Sequence, residues 1–418
     1  MDNHTCLCYT VIIGVITIKT LIELFDESQI ENVIAALNFM PEKVIFVGFD
    51  DVMTVDRTSA LEKFFKLKGI DISLEYYVVK RDDYDDISDT LNNIVANNAD
   101  CALDLTGGKE LVLTAMGEVA ANRDIPVFQF DINAGTIIKV KNCENIGVLP
   151  DVSMNISQCV TLNGGAVSYD DEGEVEWELS YDFKCDIETM WNISRKNSRA
   201  WNKQCLTFED LQKFGEVTDG TFIRADLENI RKPYFNNVII DKLINYGLIY
   251  DYKNNGHTVS FCCKNIQVKR CLFKAGNILE LYTYMKLKEI EAKDPAFYND
   301  IDVGVFVDWD GVFNAPDSDK KDTRNEIDIF VMRGIVPVFV SCKNGGVKKE
   351  ALYELNTVAQ KFGGEYAKRY LLCTYLSGDA DSKEFIKQRA ADMNIEIISG
   401  VHDLDKEGFI DMLKTRVI

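Results

Sequence analysis

The sequence predicts an α/β protein in three parts: a parallel-sheet domain at the N-terminus, a middle segment of helices with a β-hairpin, and a second α/β domain. Three observations predict it. From Thr20 to about Asn142, short β-branched or aromatic runs alternate with amphipathic stretches, the pattern of a parallel sheet with crossover helices. The strand-like run Cys101–Leu105 passes straight into Thr106-Gly107-Gly108-Lys109 and then a helical pattern. Near the C-terminus, Asp328 stands inside an otherwise apolar strand run. At roughly 100 to 200 residues per domain, 418 residues predict two to four domains.

Composition narrows the classes. The balance of 46 Lys+Arg against 67 Asp+Glu gives a net charge of −21, which excludes a basic coat for nonspecific nucleic-acid binding. Any nucleic acid must be met locally. Twelve cysteines contain no C-x2-C pair and accompany only three histidines, at 4, 257 and 402, so reduced cysteines in a cytosolic protein are expected rather than zinc sites. The apolar stretch Tyr9–Ile18 has about half the length of a spanning helix. A soluble cytoplasmic chain without membrane contact is expected, with an N-terminal extension before about Lys19.

In the first third, strands are predicted at Thr20–Phe25, Val44–Phe49, Leu74–Val79, Ala102–Leu105 and Val127–Asp131. Helical spacing falls at Gln29–Leu37, Ser59–Lys68, Ile87–Asn97 and Glu110–Ala121. This is a Rossmann-like pattern, in which ligands bind beyond the carboxyl ends of the strands. Glycines 107 and 108 let a backbone approach a ligand closely, and a helix N-terminus follows. Thr106 and Lys109 add a hydroxyl and a cation for phosphate or ribose. A tight turn with nothing bound accounts for the same residues. Ser28, Gln29 and Asn32, after the first strand, either cap a helix or read a nucleobase. No G-x-G-x-x-G follows the first strand and no P-loop motif occurs.

The middle is read as a hairpin over Val167–Tyr181 turning at Asp170–Gly173, then helices across Leu206–Leu248, then a hairpin at Asn254-Asn255-Gly256. Helices followed by a two-stranded wing describe a winged-helix-like connector. Its candidate recognition helix, Phe235–Tyr246, carries Lys242 beside Asp241, so a linker is expected rather than a DNA reader.

The last third carries chemistry. A helix over Gly276–Ile290 contains Glu280, and strands follow at Asp302–Asp308, Asn325–Met332 and Val336–Cys342, then a helix at Lys348–Lys361. With period two, Glu326 and Asp328 share one face, as do Ser341 and Lys343. If Arg333-Gly334 forms the turn, Asp328 lies opposite Ser341, and Glu326, Asp328 and Lys343 converge. An acid inside an apolar strand needs a partner or a metal. Carboxylate clusters suit Mn²⁺ or Mg²⁺ for phosphodiester hydrolysis, and an Asp328–Lys343 ion pair between strands is the structural alternative.

Asn325-Glu326-Ile327-Asp328-Ile329, a hairpin, then Val340-Ser341-Cys342-Lys343-Asn344, with Glu280 on a preceding helix, resembles the core of the PD-(D/E)xK restriction-endonuclease-like superfamily. The resemblance implies Glu280 and Asp328 as metal ligands, Cys342 through its backbone, and Lys343 as catalytic lysine. One residue departs: Ser341 stands where an acid is expected. Glu326 is the first candidate for the missing ligand, Asp308 or Asp310 the second. Leu103–Lys109 resembles the hallmark turn of CARF domains, Rossmann-like sensors of CRISPR systems that bind cyclic oligoadenylates.

The order of the parts is that of the CARF-nuclease effectors of type III CRISPR immunity. It implies a sensor at 19–165, a connector at 166–269 and a nuclease at 270–418. It further implies a homodimer around a cyclic tetra-adenylate, cyclic hexa-adenylate being the second choice, with Mn²⁺ or Mg²⁺ and cleavage of single-stranded RNA or DNA or nicking of plasmid DNA. The basic residues Lys264, Lys269, Arg270, Lys274, Lys348 and Lys349 are candidates for the substrate backbone, or form a solvated face. Two other classes stay open: a ligand-responsive transcriptional regulator acting through the winged-helix-like segment, and a non-catalytic sensor whose nuclease has decayed.

Overall fold

The computed structural model describes residues 18–144, 152–168, 177–218, 220–314 and 322–417. The leading extension up to residue 17 and the turn at Asp170–Gly173 lie outside the described residues. The chain divides into two compact units, one comprising the described residues up to Ser153 with Gln158–Gly164, the other Met154–Ser157 with Gly165 onward.

In the first unit β1 (Thr20–Leu24), α1 (Ile34–Phe39), β2 (Lys43–Gly48), α2 (Val55–Lys68), β3 (Ser73–Val78), α3 (Tyr84–Asn97), β4 (Cys101–Asp104), α4 (Glu110–Ala121), β5 (Val127–Asp131) and β6 (Thr136–Lys141) follow in order. The sheet runs β3-β2-β1-β4-β5-β6, parallel except for β6. The strand order reverses between β1 and β4, so the two central strands end beside the crevice where such sheets bind ligands. Both are buried along their whole length, as strands covered by helices on both faces must be. Helices α2 and α3 start on side-chain caps: Thr54 accepts from the Arg57 N–H and Asp83 from the Asp86 N–H. The sequence reading omits β6, an edge strand with Ile138 and Val140 exposed. α1 begins later than Gln29 because residues 26–33 form turns instead of helix.

α5 (Ile156–Leu162) precedes the second unit's β7 (Ala166–Ser168), α6 (Tyr181–Ser194), α7 (Ser198–Phe214), β8 (Glu216–Thr218), β9 (Phe222–Asp226), α8 (Asn237–Asn245), β10 (Ile249–Asn254), β11 (Thr258–Cys263) and α9 (Ile266–Phe273). Helices α6 to α9 each open on a Ser or Asn cap: Ser180, Asn197, Asn236 and Asn265. An antiparallel sheet β10-β11-β9-β8 replaces the expected two-stranded wing. The reading of Leu206–Leu248 as helices alone is therefore corrected. Ile223 and Ala225 alternate inward along β9 while Arg224 faces out, a period of two in a run too short to stand out against its helical neighbours.

The chain then forms α10 (Asn277–Lys293), β12 (Asp300–Asp308), β13 (Arg324–Arg333), β14 (Val336–Val347), α11 (Lys349–Gly363), β15 (Lys368–Leu376), α12 (Ala380–Asp392), β16 (Ile395–Ser399) and α13 (Lys406–Arg416). Their sheet runs β16-β15-β14-β13-β12-β7, with β14, β15 and β16 parallel and the other pairs antiparallel. The sequence reading assigns no element beyond Lys361, where the two parallel strands and two helices complete the layer. α10 is buried over most of its length and packs on α6, β12, β14 and α13. One apolar core runs from Phe183 on α6 to Val417, so no break in packing accompanies the connector–nuclease division at 269/270. The cysteines among the described residues are free thiols. No described helix is long and apolar enough to cross a membrane.

Candidate active site and ligand turn

The β13–β14 hairpin pairs Ile329 with Val340, so Asp328 and Ser341 come next in register. One oxygen of Asp328 then collects three donors: the Ser341 hydroxyl at 3.0 Å, the Cys342 N–H at 2.7 Å and the Lys343 ammonium at 3.1 Å. Burial works against the Lys343 charge, but Asp328 and Glu280 more than offset it and raise its pKa. Lys343 therefore stays an ammonium.

Glu280, in the first turn of α10, is 8% exposed. Burial pushes its carboxyl up to about 8, the Asp328 charge adds to the rise, and Lys274 and Lys343 oppose it. Its side chain folds back over the start of its own helix. A Cβ at Gly276 would lie 2.9 Å from Glu280 Oε1, so only glycine leaves that path clear. Cys342 is buried, and burial with the nearby carboxylates holds its thiol well above the usual range. Only its backbone is available as a ligand.

The other sequence candidates stand differently. Glu326 is held by Lys274, whose ammonium lies 3.0 and 3.3 Å from its two oxygens. Asp308 pairs across the sheet with Arg324, four residues or about 13 Å along β13 from Asp328. Its Oδ1 accepts the Asp310 and Gly311 N–H groups, and Asp310 accepts that of Val312. These two acids close the turn after β12 and do not reach Glu280. Among the described residues no three His, Cys, Asp or Glu side chains come together as a ready metal cage. Two carboxylates and a backbone carbonyl remain. That oxygen-only set fits a hard divalent ion, and the mutual repulsion of Glu280 and Asp328 is what such an ion would relieve.

In the first unit, the Thr106–Lys109 turn packs on its own chain. The Thr106 hydroxyl bonds Asp104 Oδ1 and accepts the Phe130 N–H at 2.9 Å, tying β4 to β5. The Gly108 N–H donates to Asp26 Oδ2 at 2.9 Å. Gly108 has φ +104°, and a Cβ there would meet Leu24 at 2.6 Å; one at Gly107 would meet Asp26 at 2.9 Å. The close approach that demands these glycines is thus to the end of β1 and the segment after it. Asn32 is fully buried and exchanges two hydrogen bonds with the Asp26 backbone, which commits its amide to the fold. Ser28 donates its N–H to Asp26 Oδ1. Gln29 is buried, and neither of its amide atoms has a hydrogen-bond partner among the described residues. Lys109 caps α4 without a side-chain hydrogen bond.

Residues 267–407 match the family described as Card1-like, endonuclease domain. The chain carries a Card1-like endonuclease domain. Glu280, Glu326, Asp328 and Lys343 all fall inside the matched segment. Among solved structures, protein VC1899 from Vibrio cholerae is similar with a TM-score of 0.70 at 14% identity, over 94% of this chain and 95% of its own. Can2 from Sulfobacillus thermosulfidooxidans, in complex with cyclic tetra-adenylate, is similar with a TM-score of 0.65 at 16% identity, over 94% and 97%. At these identities the likeness is one of fold. No curated protein matches the chain.

Sequence reasoning missed two pairings that organise these sites, Asp26 with Gly108 and Lys274 with Glu326. Asp26 anchors the glycine turn, a role signalled only by its place directly after β1. Lys274 holds Glu326 from the Card1-like domain's own α9–α10 link, and no strand or helix period relates position 274 to position 326. The regulator alternative gains nothing, since α8 carries Lys242 beside Asp241.

Proposed function

We propose that the chain is a divalent-metal-dependent endonuclease of type III CRISPR defence, switched on by a cyclic oligoadenylate bound at the N-terminal sheet. The observation that carries the reading is the convergence of Glu280, Asp328 and Lys343 inside the Card1-like endonuclease domain. Glu280, Asp328 and the Cys342 carbonyl would hold Mn²⁺ or Mg²⁺, which supplies Lewis-acid polarisation of the scissile phosphate and its attacking water. Asp328, steadied by three donors, fixes Lys343 beside that place. The ammonium then meets the negative charge that grows on the phosphate oxygens as the phosphorus–oxygen bond to water forms. Ser341 contributes a hydroxyl donor to Asp328 in place of a third charge.

The sensor half rests on two supports: the Thr-Gly-Gly turn at the strand-order reversal, and the fold shared with Can2, whose structure holds cyclic tetra-adenylate. Lys109 and the open N-terminus of α4 are assigned to ligand phosphate, and Gln29 and Ser28 to the base. Thr106, Gly107 and Gly108 shape the turn that presents them. A four-fold ring suits a two-fold homodimer in the cytoplasm. Single-stranded RNA, single-stranded DNA and plasmid should be tested with Mn²⁺ or Mg²⁺, with and without cyclic tetra-adenylate. Cleavage is expected only with both metal and ligand, and its persistence in Asp328→Ala and in Lys343→Ala would remove the site.

A further inference from the structure

The structure sorts the four cations that precede or join the Glu280 helix. Lys264 binds both oxygens of Asp186 at 2.8 Å. Lys269 donates to the Gly220 carbonyl at 2.8 Å and lies over the Phe273 ring. The Arg270 guanidinium stacks 3.9 Å from the Trp177 ring centre. These three are built into the connector's packing.

Lys274 is placed otherwise. It sits in the short link between α9 and α10, its side chain is 57% exposed, and its ammonium meets Glu326 at the edge of the active site. Glu326 lies two residues from Asp328 on the same strand face, and the neighbouring β12 leaves room beside it. Gly304, opposite Asp328 by register, has φ +64°, and a Cβ built there would find only Glu326 Oε1, at 3.9 Å. A partly exposed ion pair of this kind is worth no more than about 1 kcal/mol, so a competing phosphate can exchange with it.

We propose that Lys274 is a second substrate-binding cation of the endonuclease site: a phosphate oxygen of the nucleic acid displaces Glu326 from Lys274, and the freed Glu326 carboxylate becomes the third acid available to the metal, in the role Ser341 cannot fill. The exchange makes and breaks ion pairs only. It rests on the endonuclease reading and adds to it a reason why metal and substrate should bind together. A site with only two carboxylates stays weakly loaded until its substrate arrives.

The test uses the intact chain, saturated with cyclic tetra-adenylate, in two separate titrations, neither of which reads cleavage. A single-stranded DNA oligonucleotide is titrated in EDTA, and Mn²⁺ alone is titrated anaerobically, native chain and variants at one fixed pH. Lys274→Met should weaken oligonucleotide binding about fivefold and tighten Mn²⁺ binding about threefold, the scale of one released ion pair. Glu326→Gln should do the reverse, with tighter oligonucleotide and weaker Mn²⁺. Unchanged affinities in Lys274→Met, or shifts of the same sign in both variants, would overturn the exchange while leaving the endonuclease reading intact. A native chain that binds neither probe would remove that reading, and the exchange with it.

Discussion

Two aspartates stand in nearly identical sequence, Leu103-Asp104-Leu105 and Ile327-Asp328-Ile329, yet the fold treats them differently. Each has a buried glutamate for a neighbour: Glu23 pairs with Asp104 across β1 and β4, and Glu280 acts on the same site as Asp328. In the N-terminal sheet the donors to Asp104 are neutral, the Thr106 hydroxyl and N–H. Burial pushes Asp104 up to about 7, and Glu23, 2% exposed with no hydrogen-bond partner on either oxygen among the described residues, well above its usual range. In the endonuclease domain Lys343 and Lys274 stand beside the acids. An embedded acid met by neutral groups braces a fold, and one met by ammonium groups is what the proposed metal and phosphate site requires.

The largest expected effect tests that distinction directly. Asp328→Asn keeps the shape and removes the charge, and cleavage should fall on the order of a thousandfold or more. Asp104→Asn still offers a carbonyl to Thr106, so activated cleavage should stay within a few fold. Equal losses at both positions, measured as initial rates at saturating ligand and Mn²⁺, would erase the contrast. Chelation by EDTA should match Asp328→Asn.

The next effect falls on the glycine turn. Gly108→Ala demands an L-residue at φ +104° and a methyl group 2.6 Å from Leu24, so the first unit should lose roughly 2 to 4 kcal/mol. Thermal unfolding should show that loss even without ligand. A Gly108→Ala chain with native stability but weakened cyclic tetra-adenylate binding would instead make the glycine a ligand contact.

How much was legible follows from which periods survive in one dimension. The parallel sheet, the turn after β4 and the register that sets Asp328 against Ser341 all rest on alternation or on tight turns, and both are local. The bond from the Phe130 N–H to the Thr106 hydroxyl joins residues 24 positions apart, and no local period announces it. Asp308 and Asp310 looked like spare ligands until β12–β13 pairing placed them beyond reach. β8 and β9 were hidden because each is short and flanked by strong helices. The Lys274–Glu326 pair spans 52 positions. What the sequence conceals is the choice of partner for each polar group, and that choice separates a brace from a site.

The smallest effect is thermodynamic and needs no substrate. Asp104 titrates near 7 in the folded first unit and near 4 when unfolded, so the folded form holds the extra proton between those values. Stability from this group is full below about pH 4 and is lost as pH rises through 7, by on the order of 1 kcal/mol between pH 6 and pH 8. Glu23, raised as well, adds a loss of the same sign. Chemical denaturation of the first unit's transition should therefore show stability falling from pH 6 to pH 8 in the native chain, a shallower fall in Asp104→Asn, and a shallower one again when Glu23→Gln is added. A pH-independent native transition, or one that strengthens toward pH 8, would mean that these acids take up no proton on folding, and the neutral brace assigned to the N-terminal sheet would be wrong.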